Sequence, residues 1–146
     1  MFNPKIVAFC CEQSGIPASE MSKSLQRGTD LKSVSNLEIV PVPCAGRIET
    51  VQLLAALEQG ADGVIVFACH EENCQYRRGN IRAKKRLSYA GILLERIGME
   101  KERLEICNLA TNSGVKFSEV LTKKMEQLRA LGPNKFSQTA SEVGKE

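Results

Sequence analysis

A chain of 146 residues with 42% hydrophobic and 25% charged side chains has the size and make-up of one ordinary globular domain, which excludes disordered and collagen-like polypeptides. The surplus of 20 basic over 17 acidic residues is too small to argue for nucleic-acid binding, and the longest apolar run, Gly63 to Cys69, falls far short of the ~20 residues of a membrane span. Such a chain buries about two thirds of its surface and needs no metal or disulfide to fold, yet it carries six cysteines beside a single histidine.

The amino terminus, Met1 to Lys5, has no basic region, hydrophobic stretch or cleavage site of a signal peptide. The expected compartment is therefore the cytoplasm, where thiols stay reduced and clustered cysteines mean metal or redox chemistry more often than disulfides. Ile6 to Cys10 is an apolar run that ends at the turn-like cluster Glu12-Gln13-Ser14-Gly15 and reads as a buried strand. Residues 16 to 36 are polar and weakly patterned, with Met21 and Leu25 at the spacing of a short helix. Leu37 to Val42 is a second strand running into Pro43-Cys44-Ala45-Gly46, and Pro41, having no N–H, points to an edge position. Ile48, Val51, Leu54 and Ala55 then recur at helical spacing until Gly60, a residue suited to ending a helix.

Gly63 to Ala68 is the clearest strand, and the segment from Cys69 to Asn80, without apolar periodicity, is a candidate functional loop. A helix is predicted from Ile81 to Ile97, with Leu87, Ala90, Gly91, Leu94 and Ile97 on one side and Gly98 at its end. Leu104 to Leu109 forms a fourth strand, and Phe117, Val120, Leu121, Leu128 and Leu131 mark a last helix closed by Gly132-Pro133. The pattern predicts an α/β fold, a single-domain parallel sheet of about four strands in the flavodoxin or Rossmann manner with helices on both faces. That domain covers residues 1–132, and residues 133–146 form a tail that is mobile or held by a partner. No G-x-G-x-x-G or Walker sequence indicates a nucleotide.

Five of the six cysteines fall at or just past the carboxyl end of a predicted strand: Cys10 and Cys11 on the first, Cys44 after the second, Cys69 and Cys74 after the third. Ligands of open parallel sheets bind at that edge, so these thiols are expected to meet in space. Cys107 differs, lying inside the fourth strand. Neighbouring side chains on a strand point to opposite faces, so only one of Cys10 and Cys11 is needed at the site. Four thiolates from three strand ends suit a [2Fe-2S] cluster or a structural zinc, and individual cysteines also serve as buried packing residues. Zinc sites usually bring two C-x₂₋₄-C knuckles, whereas Cys69 and Cys74 make the only local pair here.

Several stretches resemble the delta subunit of methyl-viologen-reducing hydrogenase: Ile6-Val7-Ala8-Phe9-Cys10-Cys11, Pro43-Cys44-Ala45-Gly46-Arg47-Ile48 and Gly60-Ala61-Asp62-Gly63-Val64. The most specific is the run from Ala68 to Asn80, with Cys69-His70 and Cys74-Gln75-Tyr76, similar to that family's G-C-H-x-x-x-C-H-Y-x-x-G-N. The resemblance implies a small electron-transfer subunit with one [2Fe-2S] cluster on Cys11, Cys44, Cys69 and Cys74. It also implies partners: a flavin-containing, heterodisulfide reductase A-like subunit, and a hydrogenase, formate dehydrogenase or other redox module. The chain departs from the family where a second cysteine of the first motif is replaced by Ser14, and again at Ala68 and Gln75; four family cysteines remain.

His70 is the only histidine, and Rieske-type ligation uses two, so a hydrogen bond near the cluster or a place at a partner interface is the expected role. Arg77, Arg78, Arg82, Lys84, Lys85 and Arg86 form either a solvated helix face or a docking surface for an acidic partner. Arg47 either offsets thiolate charge beside Cys44 or is an exposed first-turn residue. Thiol redox catalysis of the thioredoxin type would need C-x-x-C, which the chain lacks. Two readings are thus carried forward, an electron relay and a zinc-stabilised interaction subunit.

Overall fold

Four apolar runs, each too short for a helix core, pair side by side into one parallel sheet. A computed structural model describes residues 4–12, 16, 37–69, 79–109 and 114–134. The strands are β1 (Ile6–Cys11), β2 (Leu37–Val42), β3 (Gly63–Cys69) and β4 (Leu104–Leu109), in spatial order β2-β1-β3-β4. Register pairs Cys10 with Pro41 on one side and with Phe67 on the other, while Cys69 pairs with Leu109. β2 is an edge strand, as Pro41 requires. All of β1 is buried, which explains why it reads as a continuous apolar run rather than an alternating one.

Helices α1 (Thr50–Glu58) and α2 (Gly79–Arg96) cover one face of the sheet, and α3 (Gly114–Leu131) covers the other. The first core joins Val7, Phe9, Val64, Val66 and Leu104 of the strands to Leu53, Leu57, Ala90 and Leu94 of α1 and α2. The second joins Ile6, Ala8, Cys10, Ile65 and Phe67 to Phe117, Leu121, Met125 and Leu128 of α3, with the Phe67 and Phe117 rings 4.4 Å apart. Gly63 lets α3 approach closely: a Cβ there would lie 2.6 Å from Leu128 Cδ1.

Two expected helix faces need correction. Val51 is 74% exposed, and the buried stripe of α1 is Leu53 and Leu57. The chain makes a 3-10 turn over Ala45–Arg47 before α1 starts at Thr50, so Ile48 is buried by that turn and is not in phase with the helix. Ile97 is 54% exposed because α2 ends at Arg96 and the chain turns away at Gly98, whose φ of 79° suits glycine. The helical spacing at Met21 and Leu25 lies outside the described residues.

A polar knot closes the amino edge of the sheet. Asp62 accepts from the backbone N–H of Lys5 at 2.9 Å and of Asn134 at 3.0 Å. Arg103, only 1% exposed, donates to Glu100 Oε2 (2.8 Å), Asp62 O (3.0 Å) and Gly132 O (2.8 Å). Asn134 also donates to Leu57 O and Ala61 O, which fastens the chain two residues past Gly132 to the domain. Residues 135–146 lie outside the described residues. Replacing Asp62 by alanine removes the acceptor of the buried Asn134 N–H and of the more exposed Lys5 N–H, and the cost should be about 1–3 kcal/mol, the range for one buried group losing its partner. Urea unfolding should show a lower midpoint at unchanged slope; an unaltered midpoint would remove Asp62 from the account of stability.

Candidate functional site

At the carboxyl edge the strands deliver their cysteines. β1 lies between β2 and β3, and successive connections run to opposite sides of it, which makes its carboxyl end the switch point of the sheet. The β1–β2 pairing extends one residue beyond β1, where the Glu12 N–H donates to Val42 O at 2.9 Å. This holds Cys11 against the start of the Pro43-Cys44 turn. Cys11 Sγ lies 4.0 Å from Pro43 O, and both Cys11 and Cys44 are buried. β3 ends on Cys69, so its backbone reaches the same edge on the other side of β1.

The turn that follows Cys44 is built around its sulfur. Cys44 caps the 3-10 segment, Sγ accepting the Gly46 N–H at 3.4 Å, while the Arg47 and Ile48 N–H groups donate to Cys44 O and Ala45 O. An N–H directed at sulfur favours negative charge there, as a thiolate ligand needs. Arg86 of α2 reaches across to this turn and donates from Nη1 to Gly46 O and, at 2.9 Å, to Ile48 O. The basic run after the loop is therefore not one uniform face: Arg82, Lys84 and Lys85 are exposed, whereas Arg86 is partly buried against the cysteine turn. Arg47 is exposed. Nothing in the charge pattern distinguished Arg86 from its neighbours, because its partners lie about forty positions away in the chain.

Cys10 and Cys11 separate as alternation demands. Cys10 is enclosed in the α3-side core with its Sγ 3.8 Å from Ala8 O, and Cys11 faces the opposite side, beside Pro43. Cys107 packs against the same α3-side core as Cys10, away from Cys11 and Cys44. None of Cys10, Cys11, Cys44 and Cys107 is joined in a disulfide. Cys74, His70, Ser14, Gln75, Arg77 and Arg78 lie outside the described residues, and among those described no three His, Cys, Asp or Glu side chains are grouped as a metal site. Sequence reading missed Lys124, which is buried on α3 and donates to Glu102 O at 2.9 Å and Gln127 Oε1 at 2.7 Å while pairing with Glu105 at 3.3 Å. A lysine among alternating charges gives no sign of burial.

The model of the methyl-viologen-reducing hydrogenase delta subunit family matches residues 6–132, a span containing all four strands and all six cysteines. The chain belongs to this family. The iron-sulfur D subunit of the F420-non-reducing hydrogenase of Archaeoglobus profundus is 37% identical over 135 residues, covering 92% of this chain and 96% of that protein. The corresponding vhu iron-sulfur D subunit of Methanopyrus kandleri is 35% identical over 129 residues, or 88% and 94% of the two chains. The A subunit of the ferredoxin:CoB-CoM heterodisulfide reductase of Methanosarcina mazei is 30% identical over 130 residues, 89% of this chain but 16% of that protein. Relatives of this delta subunit domain thus occur both as separate chains and as a small part of a larger one. No helix among the described residues is long and apolar enough to cross a membrane.

Within this delta subunit fold, Cys107 is set apart chemically as well as spatially. Burial pushes its thiol above the ordinary cysteine range; Lys116 partly opposes this and Glu105 adds to it. Because the folded chain holds this proton where the unfolded chain has released it, stability should fall as pH rises through and above the ordinary cysteine range. Iodoacetamide at pH 8 should alkylate Cys107 more slowly in the folded chain than in urea, since the thiolate is the reacting form. Equal rates, followed by peptide mass spectrometry, would contradict its protected state.

Proposed function

We propose that this chain is the electron-transfer subunit of a hydrogenase and heterodisulfide reductase type of assembly, holding a [2Fe-2S] cluster on Cys11, Cys44, Cys69 and Cys74. The observation that carries the reading is the place of Cys11 against Pro43, the residue before Cys44, at the switch point where β3 also ends on a cysteine. The donor set fits: two buried sulfurs, one already receiving an N–H, beside a strand end that supplies a third cysteine. Cys74 completes the set, with four residues between it and the loop's first cysteine. A [2Fe-2S] cluster bound there supplies a one-electron site.

The chain's own residues do the rest. The sheet fixes the spacing of the strand ends, burial of Cys11 and Cys44 excludes water, and the Gly46 N–H offsets negative charge on Cys44. In this reading the chain is a relay, and the difficult chemistry is done by cofactors in its partners. The names of the relatives support a hydrogenase on one side and a heterodisulfide reductase A-like subunit on the other. The flavin of that second partner follows from the family resemblance. The work is that of a soluble complex in the cytoplasm.

Anaerobic purification should give about two iron and two labile sulfide per chain, with a visible spectrum bleached by dithionite. One zinc per chain without labile sulfide would establish the zinc-stabilised interaction subunit instead. Serine at Cys11, Cys44, Cys69 or Cys74 should abolish or strongly reduce cluster content, while Cys10→Ser and Cys107→Ser should retain it. Retention in Cys11→Ser with loss in Cys10→Ser would reverse the assignment within the β1 pair.

A further inference from the structure

Arg86 joins two parts of the proposed site that the sequence keeps far apart. Its side chain rises from α2, the helix that follows Cys69 and Cys74 in sequence, and its guanidinium ends on the turn that follows β2. There Nη1 binds both Gly46 O and Ile48 O, and the Arg86 carbonyl accepts from Thr50 Oγ1 at 3.4 Å. The ion pair with Glu49 is long, at 4.0 Å, and its carboxylate is exposed, so the two carbonyl bonds rather than the ion pair set the position of the guanidinium. Only the three covalent bonds from N to Cα to C to O of Gly46 separate the N–H that donates to Cys44 Sγ from the oxygen that binds Arg86.

We infer that Arg86 is a positioning residue for the Cys44 sulfur: it locks the Ala45–Arg47 turn so that the Gly46 N–H stays on Sγ, and it keeps a fixed positive charge beside that sulfur. Two physical effects follow. Holding both Gly46 O and Ile48 O removes the freedom of the turn to swing its N–H away. The field of the guanidinium is poorly screened in a partly buried setting, so it favours added negative charge at the sulfur. With the cluster of the proposed function in place, both effects make reduction easier, because N–H···S bonds and nearby charge are among the determinants of cluster potential. The effect on potential rests on that reading; the locking of the turn does not.

The test uses the full chain, loaded anaerobically with ferrous iron and sulfide, together with the cluster-free chain. Arg86→Gln keeps a donor and removes the charge; Arg86→Lys keeps the charge and removes the planar fork. In the cluster-free chain, Arg86→Gln should speed hydrogen exchange at Gly46, Arg47 and Ile48 by about tenfold or more, as expected when a local opening loses its restraint. In the loaded chain, Arg86→Gln should retain its iron and shift the midpoint potential to more negative values, while Arg86→Lys, which keeps the charge but not the fork, shifts it less. Unchanged exchange in Arg86→Gln, or an unchanged potential, overturns the inference, as does a potential in Arg86→Lys shifted as far as in Arg86→Gln. If the unsubstituted chain takes up no cluster, the proposed function fails on its own, and the exchange measurement still decides whether Arg86 locks the turn. Should Arg86→Gln not fold, Arg86→Lys decides alone: faster exchange at the turn upholds the inference, and exchange equal to that of the original chain overturns it.

Discussion

Parallel pairing of β1 with a strand on each side is the constraint from which the rest of the molecule follows. In a parallel sheet every strand ends at the same edge, so cysteines at the ends of β1, β2 and β3 are gathered there whatever their separation in sequence. The pairing leaves no freedom to slide, because a one-residue slip of β1 would move Cys11 into the α3-side core and Cys10 out toward the turn. Burial on both faces fixes that register far more firmly than a half-exposed strand could.

The sheet also sorts the thiols into two environments. On the side of α1 and α2, Cys11 and Cys44 lie next to backbone carbonyl and amide groups of a tight turn. On the side of α3, Cys10 lies in the core with Phe67, Phe117 and Leu121, and Cys107 packs against it, its thiol pushed up by burial. The sheet itself is the barrier between a polar, donor-rich setting for sulfur and an apolar one. Two cysteines adjacent in sequence therefore have different surroundings, which no scale of residue properties could assign to them.

The strands were legible because burial on both faces leaves a continuous apolar signature, and the Pro41 argument reached the edge position of β2 correctly. Strand order was not legible in the same way, but convergence of strand ends needs only parallel pairing, so the edge could be anticipated without it. The phase of α1 was lost because the 3-10 turn before it buries Ile48 and mimics the start of a helical stripe. The long-range roles of Arg86, Arg103 and Lys124 were illegible for a different reason. A charged residue declares its burial only through partners, and here those partners are mostly carbonyl oxygens, which carry no sequence signature. The division of Cys10 from Cys11 was half legible: alternation shows that the pair divides, and only the direction of the β1 pleat says which of them enters the α3-side core.

At the opposite end of the molecule, one carboxylate receives both the residue that leads into β1 and the residue that closes the domain after α3. Entry and exit of the domain are thereby fastened side by side, as far from the cysteines as the length of the strands allows. A domain with adjoining ends behaves as a cassette: it can stand alone or be spliced into a longer polypeptide without stretching its sheet or covering the carboxyl edge of that sheet. The Methanosarcina mazei relative, in which a domain of this kind makes up 16% of a much larger chain, is what such an arrangement permits.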